Sequence, residues 1–309
     1  MKTVITGGTG FLGQHLGRAF HAAGIEAELW GREKADLLIP TSTLRVFQQA
    51  KPELVVHAAA TCGGIGANRR SPGVFWYENL QMGINVLQAC LSTGVRRVVL
   101  VGTTCSYPSE TPVPFNETRI WDGYPEPTNA PYGLAKRALM DGYLAFARQF
   151  GIEVVIAVPT NLYGPGDNFD PEDSHVIPAL IRKIDDKVRH KKKADLVIWG
   201  TGKPTRDFLY VQDGAEGIVQ LALKAPAGSI VNLGSGEEIS IRKLVDVIAN
   251  VMEVRFPGHF DDTQPDGQMR RCLDTKRAQH LLGWRAKMDL HEGLRRTVEW
   301  YREQKEVRL

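Results

Sequence analysis

The sequence predicts an α/β protein built on a doubly wound parallel sheet, followed by a smaller, mixed α/β domain. Three observations carry this expectation. Short apolar runs alternate with helical patterns through the first half of the 309 residues. A glycine turn joins the first run to the first helical pattern. Polar clusters follow Gly7, Val101 and Val158, at the carboxyl ends of strands, the edge where such sheets bind ligands.

The first run, around Val4 and Ile5, suits a buried strand. Thr6-Gly7-Gly8-Thr9-Gly10-Phe11-Leu12-Gly13 follows, and Phe11, Leu12, Leu16, Ala19, Phe20 and Ala23 then recur at helical spacing. Strand, glycine turn and helix in this order form the phosphate-binding start of a Rossmann sheet. Gly7 permits the turn, Gly10 lets a pyrophosphate approach, and Gly13 lets the helix pack closely on the strand. The helix N-terminus supplies unpaired N–H groups and a positive dipole end. A second strand over 27–30 ends at Gly31-Arg32-Glu33-Lys34. Arg32 and Lys34 suit a ribose 2′-phosphate, so NADPH is favoured over NADH, although Glu33 stands between them.

A third strand over 54–57 runs into Ala58, Ala59 and Ala60, small enough to let a cofactor lie close. His57 reads as a packing or hydrogen-bonding residue, and 62–66 as a featureless loop. A helix is expected over 72–93 and a fourth strand over 98–101, followed by a proline-rich loop over 108–131. A long helix then reaches residue 150, before a fifth strand over 154–158. Further on, a helix is expected from 176 to about 190, another within 207–224, and a strand over 230–233. The expected division is a dinucleotide-binding domain over 1–164, with a return segment at about 207–234, and a substrate domain made mainly from 165–309.

Composition narrows the function. A net charge of +3 is too small to imply nucleic acid and is compatible with an anionic small molecule. The basic run Arg189-His190-Lys191-Lys192-Lys193 has no interleaved aromatics to stack on bases and reads as surface. No apolar run approaches a membrane span, and no signal peptide is expected. Cys62, Cys90, Cys105 and Cys272 are scattered without a C-x-x-C pair, which fits reduced thiols in the cytoplasm. No metal site is expected.

Tyr132 and Lys136 are four apart and share a helix face. An adjacent ammonium is expected to lower the phenol's high intrinsic pKa, so that Tyr132 can protonate a carbonyl oxygen undergoing reduction. Thr103 or Thr104 could hydrogen-bond the same oxygen.

With these motifs the chain resembles the extended short-chain dehydrogenase/reductase family, from the glycine turn to Leu281-Leu282-Gly283-Trp284. Longer words narrow the resemblance to its GDP-4-keto-6-deoxy-mannose 3,5-epimerase/4-reductases. These are Gly102-Thr103-Thr104-Cys105-Ser106-Tyr107-Pro108, Glu126-Pro127-Thr128-Asn129-Ala130-Pro131-Tyr132, and Pro159-Thr160-Asn161-Leu162-Tyr163-Gly164-Pro165. The last continues through Asp167-Asn168-Phe169 to Ser174-His175-Val176-Ile177-Pro178, and Pro265-Asp266-Gly267 with Arg271 completes the set.

The resemblance implies a division of labour. Cys105 removes a proton beside the 4-keto group and His175 protonates the opposite face. Thr103, Tyr132 and Lys136 then serve the reduction at C4. A thiolate is a competent base where its surroundings favour ionisation, and histidine can act as the acid. The implied cofactor contacts are Gly7, Thr9, Gly10, Phe11, Leu12, Gly13, Arg32, Asp36, Leu37, Ala58, Ala59, Ala60, Tyr132, Lys136, Pro159, Asn161, Leu162 and His175. The implied GDP-sugar contacts are Thr104, Asn161, Lys183, Trp199, Arg206, Asp266 and Arg271, with Trp199 stacking and the two arginines on the diphosphate. Related enzymes that process GDP-linked deoxyheptoses leave a second substrate class open. A homodimer is also implied. Three positions depart from the pattern: Thr9 and Arg271 stand where a basic residue and a lysine are common, and Lys183 where arginine is usual.

Overall fold

The computed structural model describes residues 1–189, 196–256, 258–264 and 266–306. Residues 190–193 of the basic run and Pro265 of the Pro-Asp-Gly word lie outside the described residues. Strands β1 (Thr3–Thr6), β2 (Ala27–Trp30), β3 (Leu54–His57), β4 (Arg97–Val101) and β5 (Glu153–Pro159) alternate with helices. Those helices are α1 (Phe11–Ala22), α2 (Pro40–Ala50), α3 (Ile65–Arg70), α4 (Pro72–Thr93) and α5 (Ala130–Phe150). The chain continues through β6 (Asn161–Tyr163), α6 (Val176–Arg189), β7 (Leu196–Trp199), β8 (Thr205–Arg206) and β9 (Phe208–Tyr210). It then runs through α7 (Val211–Lys224), β10 (Ile230–Leu233), β11 (Ile239–Ser240), α8 (Ile241–Val251), β12 (Gly258–Asp261), β13 (Arg270–Arg271), α9 (Lys276–Leu282) and α10 (Leu290–Glu306).

The central sheet has the order β10-β5-β4-β3-β1-β2, and every neighbouring pair is parallel. Ile5 stands opposite Leu29 on one side and Val56 on the other. The order therefore reverses at β1, and the crevice beyond the carboxyl ends of β1 and β3 is where such a sheet takes a ligand.

Alternation along the strands explains why they read as unbroken apolar runs. Val4, Val55, Val98 and Ile156 face one core with Phe47 of α2, Leu87 of α4 and Met140 of α5. Ile5, Val56, Val99 and Val155 face the other, with Phe20 of α1, Ile218 of α7 and Leu282 of α9. A sheet covered on both faces needs apolar side chains at every position. Each fully buried valine or isoleucine contributes about 1.5–3 kcal/mol. A third core joins Ile181 of α6, Ile198 of β7, Tyr210 of β9, Leu244 of α8 and Leu294 of α10. The small strands lie along it: β7 pairs with β12, and β8 lies between β11 and β13.

Besides short strands such as β6, β7 and β9, two helices were not expected from the sequence. Residues 65–70, in part read as loop, form α3, capped at its start by the extended Gly64. Residues 40–50, left unassigned, form α2, with Pro40 in its first turn. Among the described residues no helix is long and apolar enough to cross a membrane.

Candidate active site

One cleft of about 950 Å³ runs along the carboxyl edge of the sheet, from the glycine turn to Arg271 on β13. At its first end, Gly7 adopts φ +70, and a Cβ there would lie 2.7 Å from Ala59 backbone atoms. A Cβ on Gly13 would lie 2.6 Å from Gly8 Cα and closer still to the Gly7 carbonyl. Neither neighbour is a side chain that can swing aside. Helix α1 begins at Gly10 with no side-chain cap, which leaves its first N–H groups to a bound anion. Gly13→Ala is therefore expected to weaken dinucleotide binding at least 100-fold and lower the melting temperature by several degrees. Fluorescence titration with NADPH and a thermal melt check both, and an unaltered Kd would contradict this reading of the turn.

Beside the cradle, Thr9, Phe11, Leu12, Arg32, Leu37, Ala58, Ala59 and Ala60 all line the cleft. Asp36 does not: its Oδ1 accepts the Leu38 N–H at 3.0 Å, and its Oδ2 lies 3.6 Å from Arg32 Nε. It holds the turn and the arginine instead. Lys34 is also directed elsewhere, 2.8 Å from Glu28, so Arg32 is the cation this segment offers to the cleft. His57 is fully buried, with Nδ1 2.8 Å from Thr6 Oγ1, and takes no part in the cleft wall.

At the centre, β4 delivers Thr103, Thr104 and Cys105, and α5 delivers Tyr132 and Lys136. Gly133 allows the approach, because a Cβ there would collide with the Cys105 carbonyl. Thr103 Oγ1 accepts the Cys105 N–H at 3.2 Å and so fixes the short turn after β4. The Thr103 hydroxyl also lies near enough to Tyr132 to favour its ionised form slightly.

The expected charge relationship between Tyr132 and Lys136 is not what the structure has. Lys136 is buried and its Nζ donates to the Val101 carbonyl at 2.9 Å. Burial pulls this ammonium down to about 8. Burial also pushes the Tyr132 phenol well above its usual range, against a smaller opposing effect of the Thr103 hydrogen bond. Desolvation outweighs that effect, so the phenol stays protonated and available as a donor.

His175 lines the same cleft, just before α6. Desolvation lowers its imidazole from the ordinary value, making the protonated form a stronger acid and a scarcer one. Pro159, Asn161 and Leu162 complete the wall, with Asn161 Nδ2 donating to the Asp207 carbonyl at 2.9 Å.

Lys183, Trp199, Arg206, Asp266 and Arg271 also line the cleft, with the two arginines beside Cys105. Trp199 is 63% exposed, free to receive a flat ring. Asp266 accepts the Thr201 N–H at 2.7 Å and its hydroxyl at 2.8 Å, so it braces the turn after Trp199. Burial, with Arg271 nearby, pulls Arg206 down to about 10. Lys183 Nζ donates to the Val197 carbonyl at 3.3 Å.

Sequence reasoning missed Cys62. The loop taken as featureless places this exposed thiol in the cleft. Its position follows from Asn79 of α4, which accepts the Thr61 N–H at 3.2 Å and donates to the Thr61 carbonyl at 2.8 Å. A lone cysteine in a glycine-rich segment carries no local signal for this.

Asp167, just behind the loop, is 7% exposed and its Oδ2 has no hydrogen-bond partner. Burial pushes its carboxyl up to about 7. The folded chain therefore keeps a proton that the unfolded chain loses near pH 4, and stability falls as pH rises from about 4 to about 7. Asp167→Asn should match the parent below pH 4 and be more stable at pH 8, by at most about 4 kcal/mol, or ~1.4 kcal/mol per pH unit. Urea midpoints at the two pH values check this; a variant less stable at pH 8 would contradict it.

A nucleotide cradle at the switch point, with Tyr132 and Lys136 one helical turn apart beside it, defines a class. The chain belongs to the NAD dependent epimerase/dehydratase family, whose model matches residues 3–234. Within that class it is similar to GDP-L-fucose synthases over nearly its whole length. It is 38% identical over 303 residues to a probable GDP-L-fucose synthase 1 of Oryza sativa subsp. japonica, covering 97% of this chain and 92% of that one. A GDP-L-fucose synthetase from Naegleria fowleri, solved bound to NADP, superposes with a TM-score of 0.89 at 27% identity, covering 98% of this chain and 94% of that one. A GDP-6-OMe-4-keto-L-xylo-heptose reductase from C. jejuni also superposes at 0.89 and 27% identity, with 98% of each chain covered.

Proposed function

We propose that this chain is an NADPH-dependent 3,5-epimerase/4-reductase that converts GDP-4-keto-6-deoxy-mannose to GDP-L-fucose. One observation carries the reading: a single cleft holds the glycine cradle, Thr103 with Tyr132 and Lys136, and Cys105 with His175. The similarity to GDP-L-fucose synthases supports the sugar.

The uncapped start of α1 and the glycine cradle fit a dinucleotide pyrophosphate, and Arg32 suits a 2′-phosphate. When bound, NADPH supplies hydride for C4. The residues of the chain do the rest. Cys105 takes a proton from carbon beside the keto group, and His175, lining the same cleft, returns one. Tyr132 donates its phenolic proton to the C4 oxygen. Lys136, anchored on Val101, orients the nicotinamide ribose. Trp199 stacks on the guanine, while Arg206 and Lys183 neutralise the diphosphate.

The division into a nucleotide unit over 1–164, with a return over 207–234, and a substrate unit over 165–309 belongs to this reading. So does a cytoplasmic location. Homodimer formation through α4 and α5 is supported by Tyr77, Ile84 and Leu91, exposed apolar residues seven apart on α4. A second reading, reduction alone on a GDP-4-keto-heptose, is favoured by the superposition on the C. jejuni reductase. Following NADPH absorbance with each GDP-4-keto sugar separates the two. Faster consumption with the deoxymannose is expected; consumption with the heptose alone would replace the first reading with the second.

A further inference from the structure

Arg271 is 8% exposed and spends its guanidinium in an unusual way. Nε and Nη2 donate to Gln268 Oε1 at 3.1 and 3.0 Å, and Nη1 lies 3.7 Å from Cys105 Sγ. Among the described residues no carboxylate pairs with it within 4 Å. A neutral amide thus fixes the fork in place without cancelling its charge, and that charge is left to the sulfur. The parallel pairing of β13 with β8 builds this contact between residues 166 apart.

The other groups around Cys105 leave Arg271 in control near neutral pH. Tyr132 of α5 and Cys62 of the loop after β3 both interact with the sulfur, and burial keeps the phenol in its neutral form. Arg206 on β8 adds a second cation, itself offset by Glu126 and Asp266.

We propose that Arg271, clamped by Gln268, is the positioning residue that favours the thiolate of Cys105 and so makes this sulfur a base. The inference rests on the reading of Cys105 as the proton-removing group, and it moves Arg271 from the diphosphate to the thiol. The step balances without a co-reactant. The thiol proton leaves to solvent, and the thiolate takes a proton from the carbon beside the keto group. The C–H electron pair passes into the enolate as the S–H bond forms. A cation against the sulfur is the ordinary means of holding a thiolate at neutral pH.

Thiol reactivity tests this without substrate or cofactor, so its outcome is separate from that of the assigned reaction. The full chain is treated with iodoacetamide at pH 7.5 and pH 10, and alkylation of Cys105 is followed by peptide mass spectrometry. Cys90, fully buried, stays unalkylated in the same samples when the fold is intact. Arg271→Met is expected to slow Cys105 at least tenfold at pH 7.5 and less than twofold at pH 10, where thiols ionise unaided. Arg271→Lys should stay within threefold of the parent at both. An unchanged rate in Arg271→Met at pH 7.5, or an equal deficit at both pH values, would overturn the proposal. Should Arg271→Met fail to fold, Gln268→Leu carries the comparison. A twofold or larger slowing that closes at pH 10 supports the clamp, and parent rates at both pH values contradict it.

Discussion

Tyr132→Phe is expected to lower the rate of NADPH-dependent reduction about 1,000-fold while leaving the Kd for NADPH within threefold. The phenol is held above its usual range by burial, so it carries its proton throughout the neutral range. Phenylalanine removes the proton and little else. Its ring keeps the edge-to-face packing on Phe75, at a centroid separation of 6.3 Å. A positioned acid contributes roughly 10²–10⁴ in rate, so the expected loss lies inside that range. Stopped-flow oxidation of NADPH in the variant is the check. A loss under tenfold would mean that another group delivers the proton.

Cys105→Ser is expected to cut proton exchange at C3 and C5 at least 100-fold, again with cofactor binding intact. Serine matches cysteine closely in shape, and the Thr103 hydroxyl still caps the Cys105 N–H, so the turn after β4 is kept. What disappears is the sulfur that lies 3.7 Å from the Arg271 guanidinium. A serine hydroxyl, with no base placed to activate it, cannot take over. Exchange measured by proton NMR in deuterated water reads this directly, and parent-like exchange in the variant would remove Cys105 from its role.

The strands of the central sheet were legible because both faces are covered. Runs such as Leu54-Val55-Val56 must be apolar throughout, and β2, β3 and β10 fall where the sequence puts them. The cradle was equally legible, since only glycine fits at Gly7 and Gly13. Helix α2 was harder to see: few of its eleven residues are strongly apolar, although Val46 and Phe47 are fully covered by α4 and the sheet. Its proline in the first turn was the available signal. The charge environment of the site was least legible. Lys136 lies on the same helix face as Tyr132, as spacing requires, yet its ammonium goes to Val101 on β4. The contact of Arg271 with Cys105 depends on β13 lying beside β8, a pairing of two-residue strands that no local pattern announces.

The central claim is that one cleft carries out both epimerisation and reduction. The most direct test is a single reaction in deuterated water with GDP-4-keto-6-deoxy-mannose and NADPH, followed by mass spectrometry of the product. This account predicts NADPH consumption with deuterium at both C3 and C5. Consumption with no deuterium at either carbon would contradict it, leaving a reductase in which Cys105 and His175 take no part in proton transfer.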